Sequence, residues 1–150
     1  MADTTAPVGK QYPPLTYLVG REKIREYARA VGETDPLHLD VAAARAAGHA
    51  DLVAPPMFVV VYAMEAVSVG MFDPEVGIDF PRLVHGAQRF TWARPLIAGE
   101  EVATTVRLDD VREIAAAGIT SYVFAHESVD ERGAIVSTGL WTNHVRGAGA

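Results

Sequence analysis

Met57 to Phe72 is a run of sixteen residues that would be apolar on nearly every side of a helix, interrupted only by Glu65, Ser68 and Gly70. A helix of that kind has no wet face and has to be buried. Its valines also suit a strand, but sixteen residues is long for one. Pro55-Pro56 ahead of it reads as a helix start, and Asp73-Pro74 stops it. The run falls short of the about 20 residues needed to cross a bilayer. The rest of the chain must therefore supply the cover.

From Val84 the period changes to two. Val84, Phe90 and Trp92 then share one face of a strand, and His85, Arg89 and Thr91 share the other. Val102, Thr104, Val106 and Leu108 alternate in the same way, and further strands are expected around Ile119–Val129 and Ile135–Val145. Gly99-Glu100, Ala117-Gly118 and the stretch Asp130 to Gly133 supply the turns. Upstream, Ile24, Tyr27, Ala28 and Val31 make one face of an amphipathic helix closed at Gly32. Asp40 is placed to cap a short helix from Val41 to Ala47, ended at Gly48. Helices first and an antiparallel meander after them is an α+β pattern, one sheet wrapped around one long buried central helix. Four strands leave open sheet edges, which fits dimerisation.

At 150 residues the chain has the length of one domain, spanning 1–150, with ends 1–10 and 147–150 expected to fray. It has no cysteine, so disulfides, thiolate metal sites and cysteine nucleophiles are excluded. That composition fits a reducing cytoplasm, and no signal peptide is readable in the first fifteen residues, so a soluble, cytoplasmic protein is expected. A net charge of −6 argues against non-specific nucleic-acid binding. Arg82, Arg89 and Arg94 form either a local patch for a phosphorylated ligand or ordinary wet surface. No Gly-rich phosphate loop and no Gly-x-Ser-x-Gly elbow is present, and His49, His126 and His144 lack metal-ligand spacing.

Gly32-Glu33-Thr34-Asp35-Pro36-Leu37-His38 resembles the Gly-Asp-x-Asn-Pro-x-His segment of the MaoC-like dehydratase family. The stretches Asp40 to Gly48 and Val84 to Pro95, with Gly99-Glu100, are similar to the same family, so the resemblance runs from about Val8 to Val145. Gly20 to Tyr27 through Ala54 to Phe58 resembles the family's N-terminal-half type. That type includes small actinobacterial single-domain members and the substrate-binding subunit of the mycobacterial 3-hydroxyacyl-carrier-protein dehydratase. The resemblance implies a hot-dog fold. It also implies (3R)-specific enoyl-thioester hydratase or 3-hydroxyacyl-thioester dehydratase chemistry on acyl-CoA or acyl-carrier-protein substrates. The enzyme would be a lyase of fatty acid metabolism with no metal and no redox cofactor, acting as a homodimer or with a second MaoC-like subunit.

Hydration of an enoyl thioester needs a base for water, an acid for the α-carbon and donors for the developing enolate oxygen. The resemblance assigns the water to Glu33 and His38, since a carboxylate beside a histidine fixes its tautomer and lets the pair exchange protons near neutral pH. Glu33 is longer than the family's Asp, and Asp35 replaces an Asn, so it either contacts substrate or serves as a turn residue before Pro36. Catalytic members carry His-Gly-Met where this chain has Pro55-Pro56-Met57, and Pro56 has no N–H to give a thioester carbonyl. Met57 or Phe58 N–H would substitute, unless another chain supplies the site. His85 and Gly86 match family positions near the dimer seam and, with Arg89, are further candidates for substrate binding, with a structural strand histidine as the alternative for His85. Tyr62, Met64, Val67 and Met71 are expected in the core, some of them lining an acyl tunnel.

Two rivals stand beside this reading, and behind them a structural or acyl-sensing dimer with no chemistry. One is a non-catalytic substrate-binding subunit of a heterodimeric dehydratase, to which Glu33 and Pro56 point. The other is a hot-dog acyl-CoA thioesterase that would rely on Glu65 of the buried helix.

Overall fold

The computed structural model describes residues 6–147. Its centre is a five-stranded antiparallel sheet, β1 (Gln11–Leu18), β2 (Leu83–Trp92), β3 (Glu101–Ile114), β4 (Ile119–Asp130) and β5 (Ile135–Arg146). The spatial order is β1-β3-β4-β5-β2. The strand missing from the four-strand expectation is β1. Pro13 and Pro14 lie inside it, and such prolines disqualify a central strand. β1 is an edge strand, and its pairing with β3 slips between Tyr12 and Leu15, which lets both prolines pass without ladder bonds.

The helices α1 (Arg21–Ala30), α2 (Val41–Ala46), α3 (Val59–Tyr62) and α4 (Met64–Met71) lie between β1 and β2 in the chain. Ile24 and Ala28 of α1 are buried, as the spacing predicts. Asp40 caps α2, its carboxylate accepting from Ala42 N–H at 2.8 Å. The long central helix is not continuous. Pro56–Phe58 forms a 3-10 turn, and Ala63 separates α3 from α4. Paired prolines cannot donate, so the first turn closes instead by Phe58 N–H to Pro55 O at 2.9 Å.

Nor is the run buried on every side. Phe58, Val59, Tyr62, Ala66 and Val67 pack into the core against Val102, Val106, Phe124, Val136 and Trp141. Met57, Met64, Val69 and Phe72 remain exposed, Phe72 at 67%, because the sheet covers only one side of the helices within this chain. The helix lies close against the sheet at Gly70, where an added Cβ would come within 2.8 Å of the Phe124 ring.

Two further expectations change. A bulge at Gly86 shifts the β2–β5 register, pairing His85 with Asn143 and Phe90 with Gly139. Cross-strand partners share a face, so His85 lies on the face of Phe90 and Trp92, and Val84 on the other. Within the N-terminal stretch expected to fray, Pro7–Lys10 are tied to the rest of the fold. Gly9 N–H donates to Leu108 O, and Lys10 pairs with Asp73 and Glu75. Residues 1–5 and 148–150 lie outside the described residues. Among the described residues no helix is long and apolar enough to cross a membrane.

Candidate active site

The loop after α1 is held by its own backbone. Glu33 N–H donates to Ala28 O at 2.8 Å, and His38 N–H to Asp35 O at 3.1 Å. Pro36–His38 winds into a 3-10 turn whose first N–H groups need an acceptor. Asp35 provides it, accepting from Leu37 N–H at 2.9 Å. The turn carries His38 inward, to 8% exposure, and sets its Nδ1 2.7 Å from Val53 O. A carbonyl only accepts, so Nδ1 donates, and in the neutral ring Nε2 is the nitrogen that can accept.

Glu33 is half-buried on the wall of a cavity of about 360 Å³, bordered also by Tyr27, Val31, Pro55, Pro56 and Met57. Tyr27 O–H donates to Met57 O at 3.2 Å. Met57 N–H, at the second position of its turn, has no intrahelical acceptor, whereas Phe58 N–H is engaged by Pro55 O. Pro55 and Pro56 also border a second cavity, an apolar slot of about 350 Å³ reached by Phe58, Tyr62, Trp92, Leu96 and Val136. Trp92 Nε1–H donates to Pro56 O at 2.8 Å, which ties β2 to the dividing wall.

A cavity bearing a carboxylate and an apolar slot thus lie on the two sides of Pro55 and Pro56. Residues 6–139 match the model of the FAS1-like dehydratase domain region. The chain belongs to this MaoC-like, hot-dog family. A UPF0336 protein of Clavibacter michiganensis subsp. michiganensis is 51% identical over 132 residues, 87% of each chain. Among solved structures, a MaoC-like dehydratase superposes with a TM-score of 0.82 at 35% identity. It matches 95% of this hot-dog chain, which spans only 43% of that longer dehydratase. The C-terminally truncated HadBC (3R-hydroxyacyl-ACP dehydratase) complex of Mycobacterium tuberculosis gives a TM-score of 0.81 at 28% identity, covering 94% and 98% of the two chains.

The hot-dog frame brings Glu33 and Met57 to one cavity but leaves other candidates apart. His38 does not border that cavity, and among the described residues no hydrogen bond joins it to Glu33. His85, Gly86 and Arg89 are exposed on β2, away from the Glu33 cavity, and Arg89 borders a small hollow with Thr91 and Leu140. Arg94 is engaged by Glu100 and Asp130, and Arg82 by Asp79, so the three arginines make no shared phosphate patch. Glu65 is exposed on α4 within this chain, on the side that also leaves Met64, Val69 and Phe72 open. Of the helix residues assigned to core or tunnel, Tyr62 lines the slot, Val67 is core and Met64 faces outward. The sequence reading missed Trp92 and Leu96 as slot residues. A Trp ending a strand and a Leu after Arg94-Pro95 were the available signals.

Proposed function

We propose that this protein is a (3R)-specific enoyl-thioester hydratase, or 3-hydroxyacyl-thioester dehydratase in the reverse direction, acting on acyl-CoA or acyl-carrier-protein substrates. The observation that carries the reading is His38, buried with its Nδ1 on the Val53 carbonyl, which in the neutral ring leaves Nε2 as the acceptor. Hydration adds OH at C3 and H at C2. Once bound substrate brings the separated His38 and Glu33 to one water, Nε2 accepts a hydrogen bond from it, and the Glu33 carboxylate takes the proton that water sheds and returns it at C2. Met57 N–H faces the thioester carbonyl in place of the donor that Pro56 lacks. Asp35, fixed as the cap of the loop, positions His38 and does not touch substrate.

The site is completed by a second subunit, either a copy of this chain or another MaoC-like protein. β2 supports this, being an open edge without proline, in contrast to the β1 edge that carries Pro13 and Pro14. The exposed side chains Met57, Met64, Val69 and Phe72 need cover of the same kind. The expected seam residues His85 and Gly86 lie on that edge strand, as does Arg89.

A second reading is a non-catalytic substrate-binding subunit. It is favoured by the separation of Glu33 from His38 and by the missing donor at Pro56. Adding a trans-2-enoyl-CoA to the purified protein, with and without a co-expressed MaoC-like partner, separates the two. Loss of enoyl absorbance that needs Glu33 and His38, alone or with the partner, supports the hydratase; turnover only with the partner that survives Glu33→Gln and His38→Ala supports the binding subunit.

A further inference from the structure

Outside the Glu33 loop, a second line of polar groups is buried in the core face of the sheet. Register brings it together, with His126 opposite Gly139, Phe124 opposite Trp141 and Ser128 opposite Ser137. Gly139 makes the room. A Cβ there would fall 2.3 Å from the Phe90 ring and 2.7 Å from the His126 ring. Trp141 Nε1 lies 2.8 Å from His126 Nδ1, His126 Nε2 lies 3.2 Å from Ser137 Oγ, and Ser137 Oγ lies 2.8 Å from Tyr62 Oη.

The indole at one end gives the line a direction. An indole N–H only donates, so His126 Nδ1 accepts and the neutral ring keeps its proton on Nε2. Burial pushes this imidazole down to about 4, which keeps it neutral at ordinary pH. His126 Nε2–H therefore donates to Ser137 Oγ. Ser137 is fully buried, and the Tyr62 oxygen is the acceptor its own proton can reach among the described residues. The Tyr62 O–H is then left as a donor with no acceptor among the described residues. Tyr62 is only 4% exposed, and the cavity it borders is the apolar slot. The other donor side chains of the lining are engaged, Trp92 Nε1–H by Pro56 O and Arg94 by Glu100, Asp130 and Pro95 O.

We infer that the slot takes an acyl chain bearing a hydrogen-bond acceptor, a keto or hydroxyl oxygen beyond the reacting carbons, and that Tyr62 O–H recognises it. This rests on the thioester reading, which places the reacting carbons on the Glu33 side of the Pro55–Pro56 wall and the tail in the slot. A saturated tail would fill the same volume and leave the donor without a partner, so the slot discriminates by oxygen as well as by length.

The test uses heptan-4-one and heptane as probes of the slot, titrated by the fluorescence of Trp92 in wild type and Tyr62→Phe. The expected result is ketone binding weakened about tenfold by the substitution, with heptane unchanged. The carbonyl band of bound heptan-4-one in the infrared should lie at its hydrogen-bonded position in wild type and move to its apolar-solvent position in the variant. Equal changes for both probes, no ketone binding, or an apolar-solvent carbonyl band in wild type would overturn the inference. The wild-type band decides alone if Tyr62→Phe does not fold. None of these readouts uses turnover. A wild type that hydrates no enoyl thioester, alone or with a partner, would remove the activity and leave the tail recognition standing. Turnover without any ketone effect would do the reverse.

Discussion

The Gly32–His38 loop and the Trp141–His126–Ser137–Tyr62 line are both polar devices bordering the Pro55–Pro56 wall, and they are built in opposite ways. The loop is contiguous in sequence and stabilised by its own turn, with Asp35 on Leu37 N–H and His38 on Val53 O. Its two reactive groups, Glu33 and His38, are not hydrogen-bonded to each other. The core line draws its members from α3, β4 and β5, and each is bonded to the next. The first arrangement leaves groups free for a substrate to engage; the second is nearly complete and offers one free donor. Local turns can hold reactive groups at partial exposure, while a sheet can afford a buried polar group only if its neighbours satisfy it.

Removing the groups assigned to chemistry should have the largest effect. Glu33→Gln should lower kcat by about 10²–10⁴, the range for a lost general base, with the thermal midpoint nearly unchanged. Glu33→Asp, which restores the family's acid, should keep kcat within tenfold of wild type. A Gln variant as active as wild type would take the loop out of the mechanism.

The core line should show itself in stability. His126 in the unfolded chain takes a proton below about pH 6.5, whereas the folded ring does so only near 4. The unfolded state therefore binds more protons across that window, and stability should fall as pH drops from about 6.5 to about 4, by up to about 3 kcal/mol. Denaturant titrations at several pH values measure this slope, and His126→Gln should flatten it. Asp51 acts in a lower window. Its bond to Arg21 holds the carboxyl at about 2, so its contribution is present above about 3.8 and fades as pH falls towards 2.

Smaller effects sharpen the contrast. Trp141→Phe strips the donor from His126 Nδ1 and should cost about 1–3 kcal/mol in urea unfolding. Asp35→Ala should cost about 1 kcal/mol through the lost cap. It should also loosen His38 enough to reduce kcat, with Asp35→Asn restoring both because the amide oxygen can accept from Leu37 N–H.

What was legible in the sequence follows the same division. The loop could be read because its meaning lies in seven consecutive residues, and β3 to β5 because alternation is local. β1 was hidden by Pro13 and Pro14, which an edge strand tolerates through a register slip. The faces of β2 were misjudged because one bulge at Gly86 exchanges them, and nothing local fixes where a bulge falls. The break at Ala63 has no proline or glycine to announce it. The buried line was out of reach, since Tyr62, His126, Ser137 and Trp141 meet only through strand register and the space at Gly139.

The central claim is that His38, held by Val53, activates water against an enoyl thioester. Following enoyl absorbance with a trans-2-enoyl-CoA and equal amounts of folded wild type and His38→Ala tests it most directly. The account predicts hydration by wild type and a rate about 10²–10⁴ lower for the variant. Equal rates for the two proteins would contradict it.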